Sequence, residues 1–96
     1  LYFTTASATG NDNNTIDNND ITSAADASRP INALNAVGSA SFENSGNSVT
    51  NNNFYNFLNR GVASYGINLG TNNSTWTITG NSFYETASFI PTASVA

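Results

Sequence analysis

An internal repeat constrains the fold of this chain more than any other feature, because the period of a repeat selects a class of architecture. Three segments align without gaps: NTIDNNDIT at 14–22, NSVTNNNFY at 47–55 and WTITGNSFY at 76–84. The aligned apolar residues form two columns, Ile16–Val49–Ile78 and Ile21–Phe54–Phe83. The offsets of 33 and 29 residues are typical of units that stack on one another rather than of one compact fold.

A second, weaker set of apolar segments lies between these repeats. INA at 31–33 aligns with INL at 67–69 at an offset of 36 residues, with Phe3 and Ile90 as flanking members. The apolar pieces are short, partly alternating and separated by turns rich in Gly, Asn and Ser, which is typical of strands. The best helix candidate, ADASRPINAL, is broken by Pro30, so the predicted helix content is near zero.

Three short strands in each period of about 30 residues, without helices, predict a parallel β-helix of about three coils. Parallel strands need long connections, and the rest of each coil supplies them. Equivalent residues in successive coils then lie about 4.8 Å apart. Residues 1–96 are predicted to be one β-helical section. Because both ends read as further strand rather than as polar caps, we expect a longer solenoid or end-to-end docking.

Two polar positions between the repeated strands have specific expected roles. The first is a bend that needs a left-handed backbone, which asparagine and glycine adopt most readily. It is occupied by Asn18, Asn51 and Gly80. The second position is asparagine in every repeat, and its amide carries both donors and acceptors. We therefore expect a hydrogen-bonded ladder of amides along the stacking direction, formed by Asn19, Asn52 and Asn81.

The pattern [IV]-x-[NG]-N-x-[IF], over residues 14–86, resembles that of right-handed parallel β-helix proteins, the pectate-lyase-like superfold. That group includes polysaccharide lyases, glycoside hydrolases, phage tailspikes and long bacterial cell-surface proteins. The resemblance implies an architecture and no particular activity, because one such fold hosts many functions. The composition, rich in Asn, Ser and Thr and without lysine or cysteine, looks most like repetitive secreted or surface proteins of bacteria.

Charge and residue types exclude several classes of function. With two arginines, six acidic residues and a net charge of −4, the chain has almost nothing to neutralise nucleic-acid phosphates or anionic membrane surfaces. No apolar run approaches the length of a membrane span. The sequence contains no histidine and no cysteine, so it offers no imidazole base, no thiolate metal site and no disulfide.

The acidic residues are the first candidates for chemistry, because polysaccharide-cleaving members of the resembled group rely on carboxylates, often with calcium. They are Asp12, Asp17, Asp20, Asp26, Glu43 and Glu85. Asp17 and Asp20 flank one bend, which makes them weak candidates for a catalytic pair or for a shared calcium ion. No EF-hand pattern surrounds them, and solvated turn carboxylates are the simpler reading. Arg29 and Arg60 lie in turns and are expected to cap carbonyl groups or to pair locally.

The aromatic residues are the candidates for binding. Phe54 and Phe83 belong to an inward column and are expected in the core, so Tyr55 and Tyr84 should face outward, one above the other. Trp76, before a threonine-rich strand, is the third candidate. Exposed aromatic rings can stack on sugar rings, and carbohydrate is the favoured partner of a surface without lysine. The alternative is aromatic pairing that only stabilises the sheet.

These observations favour a structural or adhesive section of a secreted or cell-surface protein, which contacts carbohydrate through Tyr55, Tyr84 and Trp76. We expect no enzymatic activity within these residues. The alternative is part of a polysaccharide lyase or glycoside hydrolase of the parallel β-helix type, with an active site that uses Asp17 and Asp20 or lies in other coils. A phage tailspike section is a third reading, and it predicts a stable trimer. Further β-helix coils, of the same or another chain, are the expected protein partner.

Overall fold

The structure, a computed structural model, describes residues 1–4, 9–23 and 29–87. Asp26 and Ile90 lie outside these residues. The described residues form short β-strands and no helix, so none of them belongs to a helix that could cross a membrane. The strands are β1 Tyr2–Thr4, β2 Thr15–Asp17, β3 Asp20–Thr22, β4 Asn32–Val37, β5 Asn44–Ser45, β6 Ser48–Thr50, β7 Asn53–Tyr55, β8 Tyr65–Leu69, β9 Asn73–Ser74, β10 Thr77–Thr79 and β11 Ser82–Tyr84.

The strands pair in parallel within three three-stranded sheets. Sheet A has the order β1-β4-β8, sheet B the order β10-β6-β2 and sheet C the order β11-β7-β3. The chain visits sheets A, B and C in turn and then returns to A, so it makes three passes through the same sheets. We call β1–β3 the first pass, β4–β7 the second pass and β8–β11 the third pass. The second pass lies between the other two in every three-stranded sheet.

Sheets B and C have the register of the aligned repeats. Val49 pairs with Ile16 on one side and with Ile78 on the other. In sheet C the paired central residues are Ile21, Phe54 and Phe83. Each of these strands has three residues, and side chains alternate between the faces of a strand. The apolar central residue therefore points inward, and its hydroxyl, amide or acidic neighbours point outward.

Sheet A corrects the expected alignment of the weaker set. Leu34 pairs with Ile67, which is an offset of 33 residues and not the expected 36. The observed register follows burial, because Leu34 is completely buried, whereas Ile31 is half exposed. Phe3 joins this sheet opposite Ala36.

A fourth sheet, of two strands, corrects the expectation of three strands in each coil. Its strands, β5 and β9, pair Asn44 with Asn73 and Ser45 with Ser74. The second and third passes therefore contain four strands each. Neither strand contains an apolar residue, so hydrophobic periodicity could not detect this pair.

The core lies in the second pass, which has a neighbour on both sides. Its central side chains, Leu34, Val49 and Phe54, have no exposed surface. Phe83 stacks on Phe54 with ring centroids 4.9 Å apart and an angle of 10° between the planes. However, 47% of Phe83 is exposed, so it lies in the inward column without being fully buried as expected. The apolar columns are thus covered in the middle of the stack and open at its outer passes.

Candidate functional site

The bends between sheets B and C have left-handed backbone conformations. Asn18, Asn51 and Gly80 have φ angles of 62°, 55° and 68°. These are the residue types that adopt such angles at least cost, because glycine lacks a Cβ atom and the short asparagine side chain can hydrogen-bond locally. The positive φ turns the chain sharply and aligns the strands on either side in successive passes.

The asparagines that follow these bends are stacked and hydrogen-bonded. Asn52 has no exposed surface, and its Oδ1 accepts from the backbone N–H and from Nδ2 of Asn19, at 2.9 and 3.1 Å. Its own N–H and Nδ2 donate to Oδ1 of Asn81, at 2.9 and 3.1 Å. Nδ2 of Asn52 also donates to the carbonyl of Ile16 at 2.9 Å. The side chain of Asn52 is therefore fully paired, as a buried amide must be if it is not to destabilise the fold.

A second asparagine ladder, which the sequence analysis missed, precedes sheet B. Asn47 is buried, and its Oδ1 accepts from the backbone N–H and Nδ2 of Asn14, at 2.9 and 3.0 Å. Its Nδ2 donates to the carbonyl of Asn11 at 2.8 Å. Trp76 takes the same position in the third pass, where its Nε1 donates to the carbonyl of Asn44 at 3.1 Å. The signal was present in the alignment, since asparagine opens the first two repeats.

Trp76 consequently faces the interior. Its ring lies edge-on to Phe3, with centroids 5.4 Å apart and an angle of 77°, and it packs against the core. This placement corrects the expectation that Trp76 is an exposed aromatic residue beside the tyrosines. An indole N–H can donate to a carbonyl as an amide N–H does, so the third pass keeps this hydrogen bond although the side chain differs.

A third column of asparagines, in the two-stranded sheet, is only partly paired. Asn44 Oδ1 accepts from the backbone N–H of Asn11 at 2.9 Å, as in the other ladders. Asn44 Nδ2 and Asn73 Oδ1 are buried and have no hydrogen-bond partner in the part of the chain that the structure describes. In the ladder at Asn52, the corresponding atoms of the second and third passes form a hydrogen bond, from Nδ2 of Asn52 to Oδ1 of Asn81. An unpaired buried polar group costs about 1–3 kcal/mol, so this column contributes less to stability than the ladder at Asn52.

Tyr55 and Tyr84 form a stacked pair on the outer face of sheet C. Their ring centroids are 5.3 Å apart and their planes are inclined by 10°. Thr22 occupies the corresponding position in the first pass. Tyr84 is 43% exposed, and one face of its ring covers Tyr55. No other aromatic ring of the described residues stacks on the opposite face.

The two weak catalytic candidates are hydrogen-bonded to side chains of the second pass. Asp17 Oδ1 accepts from the hydroxyl of Thr50 at 2.6 Å and from Nδ2 of Asn51 at 3.0 Å. These hydrogen bonds, that of Thr50 first, hold the pKa of Asp17 below its ordinary value of 3.8. A general acid needs a raised pKa, so Asp17 is poorly suited to that role. Asp20 Oδ1 accepts from Nδ2 of Asn53 at 2.8 Å.

Other acidic side chains also link adjacent passes. Asp12 Oδ1 accepts from the hydroxyl of Ser45 at 3.0 Å, and Glu43 Oε2 accepts from the hydroxyl of Ser74 at 2.6 Å. Within residues 1–4, 9–23 and 29–87, no three carboxylates lie close enough together to hold a metal ion. On the described surface these carboxylates act as hydrogen-bond acceptors between passes.

Arg29 caps a carbonyl as expected, but its ion pair is not local. Its Nη1 lies 2.8 Å from Oε2 of Glu85, and the two side chains are only 10% and 15% exposed. Leu58 lies between them, because its carbonyl accepts from Arg29 at 3.3 Å and its N–H donates to Glu85 Oε1 at 3.0 Å. The pair joins residues 56 positions apart and so ties together loops that belong to different passes.

Comparison with models of known protein families finds no matching family, and comparisons with curated proteins and with solved structures find no match. The geometry itself defines a class. The chain is an all-β protein of parallel strands in stacked three-stranded sheets, with asparagine side chains hydrogen-bonded from one pass to the next.

Proposed function

We propose that this chain is a section of a right-handed parallel β-helix in a secreted or cell-surface protein. Its role in this proposal is structural and adhesive, with a carbohydrate contact through Tyr55 and Tyr84. The in-register stacking of the passes supports the structural part. The stacked, exposed tyrosine pair is the observation that carries the adhesive part.

A sugar ring presents C–H groups on its faces, and the face of an aromatic ring is apolar with a partial negative charge that attracts them. The uncovered face of Tyr84 offers such a surface, 43% of the residue being exposed. Tyr55 stacks beneath it and restricts its orientation, so little side-chain entropy is lost on binding. The net charge of −4 favours neutral sugars over uronic acids.

The test is a titration of the isotope-labelled chain with cellohexaose, mannohexaose and an oligogalacturonate, followed by two-dimensional NMR. We expect a neutral oligosaccharide to shift signals of β7 and β11 and to bind in the millimolar range. Tyr84→Ala should weaken binding at least about tenfold, which corresponds to about 1.4 kcal/mol. Tyr65→Ala is the matched control, since Tyr65 is a tyrosine of similar exposure on sheet A, 50% against 43% for Tyr84.

Far-UV circular dichroism and the fluorescence of Trp76, the single tryptophan, show whether each variant keeps its fold. If no oligosaccharide shifts the β7 and β11 signals, or if the two alanine variants weaken binding equally, the tyrosine contact is wrong. The structural part of the proposal does not depend on that outcome.

The polysaccharide-cleaving alternative makes a different prediction. It requires release of products from neutral or uronic-acid polysaccharides in the presence of calcium, and loss of that release in Asp17→Asn. The hydrogen bonds to Asp17 and its lowered pKa argue against Asp17 as the acid of such a reaction. The tailspike reading requires a stable trimer, which sedimentation velocity shows as a single species whose size does not change with concentration.

A further inference from the structure

The outer surfaces of the first and third passes expose apolar residues that the middle of the stack covers. An open groove of about 500 Å³ lies on the first pass. All its lining residues belong to that pass: Leu1, Ile16, Asn19, Asp20, Ile21 and Thr22. On the third pass, Ile78 and Phe83 are 39% and 47% exposed. The corresponding residues of the second pass, Val49 and Phe54, are completely buried.

The asparagine ladder gives this stack a polarity. At both steps a backbone N–H donates to Oδ1 of the asparagine in the following pass, from Asn19 to Asn52 and from Asn52 to Asn81, each at 2.9 Å. In the described part of the chain, the N–H of Asn81 and Oδ1 of Asn19 make no such bond. Among the described residues, the third pass therefore presents a ladder donor and the first pass a ladder acceptor that the ladder itself does not pair.

We propose that the third pass of one copy of this chain binds the first pass of a second copy, head to tail and in the register of the internal passes. The N–H of Asn81 then donates to Oδ1 of Asn19 in the second copy. Phe83 then packs against Ile21 of the second copy, as Phe54 pairs with Ile21 within one chain. This proposal goes beyond the carbohydrate contact and does not depend on it. It rests on the β-helical part of the proposed function, and it names a second copy of this chain as the source of the neighbouring coils.

The polarity of the ladder excludes the other two orientations. Two first passes face to face would place one Oδ1 of Asn19 against another, so acceptors would meet acceptors. Two third passes face to face would place the N–H groups of Asn81 against each other. Only the head-to-tail orientation pairs the donor with the acceptor and keeps all strands parallel.

Charge complementarity favours the same orientation. The first pass carries Asp17 and Asp20, and the residues at these positions in the third pass are Thr79 and Ser82. Head-to-tail binding places both carboxylates beside hydroxyl donors, as Asp17 already is beside Thr50. Contact between two first passes would instead bring four carboxylates together, which is repulsive.

A contact of this kind does not close on itself. Each bound copy presents a new third pass to the next copy, and heterologous contacts that do not close a ring produce open chains. The expected product is a concentration-dependent series of linear oligomers rather than a single dimer.

The orientation is tested with single cysteine variants, since the natural chain contains no cysteine. Thr15 and Thr77 are exposed and occupy equivalent positions of sheet B, both opposite Ser48. Head-to-tail binding brings them into neighbouring parallel strands about 4.8 Å apart, which suits a disulfide. Mixing Thr15→Cys with Thr77→Cys under oxidising conditions should give the mixed disulfide in at least about tenfold excess over either homodimer. Sedimentation velocity of the natural chain should show oligomers that grow with concentration.

A charge variant tests the interface without touching the core. Thr79→Asp places a carboxylate opposite Asp17 of the second copy and should weaken self-association at least about tenfold. Thr71→Asp adds the same charge to the exposed turn between β8 and β9, and it should leave association unchanged. The fluorescence of Trp76 verifies that both variants are folded.

Three results would overturn the proposal. The first is a mixed disulfide that does not exceed both homodimers. The second is a chain that stays monomeric up to a concentration of about 0.5 mM. The third is an equal effect of Thr79→Asp and Thr71→Asp. Failure of the tyrosine variants to affect sugar binding leaves these measurements unaffected, so the two proposals fail separately.

Discussion

Replacing Asn52 by alanine should destabilise the fold far more than the same replacement at Asn19, although both belong to one ladder. The side chain of Asn52 has no exposed surface, accepts two hydrogen bonds from the first pass and donates to Ile16 and Asn81. Asn19 is exposed, and its Oδ1 accepts no hydrogen bond from the described residues. Water can replace the hydrogen bonds that are lost when Asn19 is changed, because this residue is exposed. The hydrogen-bond partners of the buried Asn52 are less accessible to water.

The expected difference follows from the hydrogen bonds that each variant loses. Asn52→Ala removes the acceptor of the Asn19 N–H and the Nδ2 donor to the carbonyl of Ile16. It also removes one of the two donors to Oδ1 of Asn81, which keeps the backbone N–H of residue 52. At about 1 kcal/mol for each of these three hydrogen bonds, the loss is about 3 kcal/mol. Asn19→Ala should cost about 0.5–1 kcal/mol, because its backbone N–H still donates to Asn52. A domain of this size is stabilised by about 5–14 kcal/mol, so the first variant loses a large part of its stability.

Urea unfolding followed by the fluorescence of Trp76 measures both values, because this single tryptophan packs against Phe3 and the core. With a slope of about 1.5 kcal/mol per M, Asn52→Ala should lower the urea midpoint by about 2 M, and Asn19→Ala by less than about 0.7 M. Equal midpoints for the two variants would refute the reasoning, because the ladder would then contribute nothing that depends on burial.

Three further predictions concern contacts between passes. The pKa of Asp17 is lower in the folded than in the unfolded chain, so its contribution to stability is present above pH 3.8 and is lost as the pH falls through the folded value. The difference in free energy of unfolding between the natural chain and Asp17→Asn should therefore shrink as the pH falls from 5 to 2, the range in which an aspartate takes up its proton. Urea unfolding at each pH measures this difference. Glu85→Gln leaves the mostly buried charge of Arg29 beside a neutral amide and should lower the free energy of unfolding by about 2 kcal/mol. An unchanged urea midpoint would show that the ion pair is dispensable. In Gly38→Ala, the added Cβ atom collides with the backbone carbonyl oxygen of Asn72, so we expect the free energy of unfolding to fall by about 2 kcal/mol. A thermal midpoint equal to that of the natural chain would contradict the close approach of the second and third passes.

The register of sheets B and C could be predicted from sequence because apolar residues, bends and asparagines repeat together. Val49 and its partners Ile16 and Ile78 are each followed at a fixed spacing by a bend residue and an asparagine, so three independent signals agree on one register. Sheet A lacks them. The identity of the Ile-Asn pairs suggested an offset of 36 residues, whereas burial of Leu34 opposite Ile67 decides the actual offset of 33.

Other features were beyond sequence reasoning for physical reasons. The strands β5 and β9 contain no apolar residue and are paired through their backbones. Trp76 stands where the repeat has asparagine, and only the structure shows that its indole N–H replaces an amide. The ion pair between Arg29 and Glu85 joins residues outside the repeat, at a separation that no local pattern connects.

Parallel pairing between passes is the central claim, and NMR cross-peaks between backbone protons test it most directly. The strands β6 and β7 are joined by only Asn51 and Asn52, so the same sequence could also be read as a hairpin with a two-residue turn. Parallel pairing predicts contacts from the backbone of Val49 to Ile16 and to Ile78, without strong Hα–Hα contacts between β6 and β7. Strong Hα–Hα contacts between β6 and β7, with none from Val49 to Ile16 or Ile78, would show antiparallel hairpins and contradict the stacked fold.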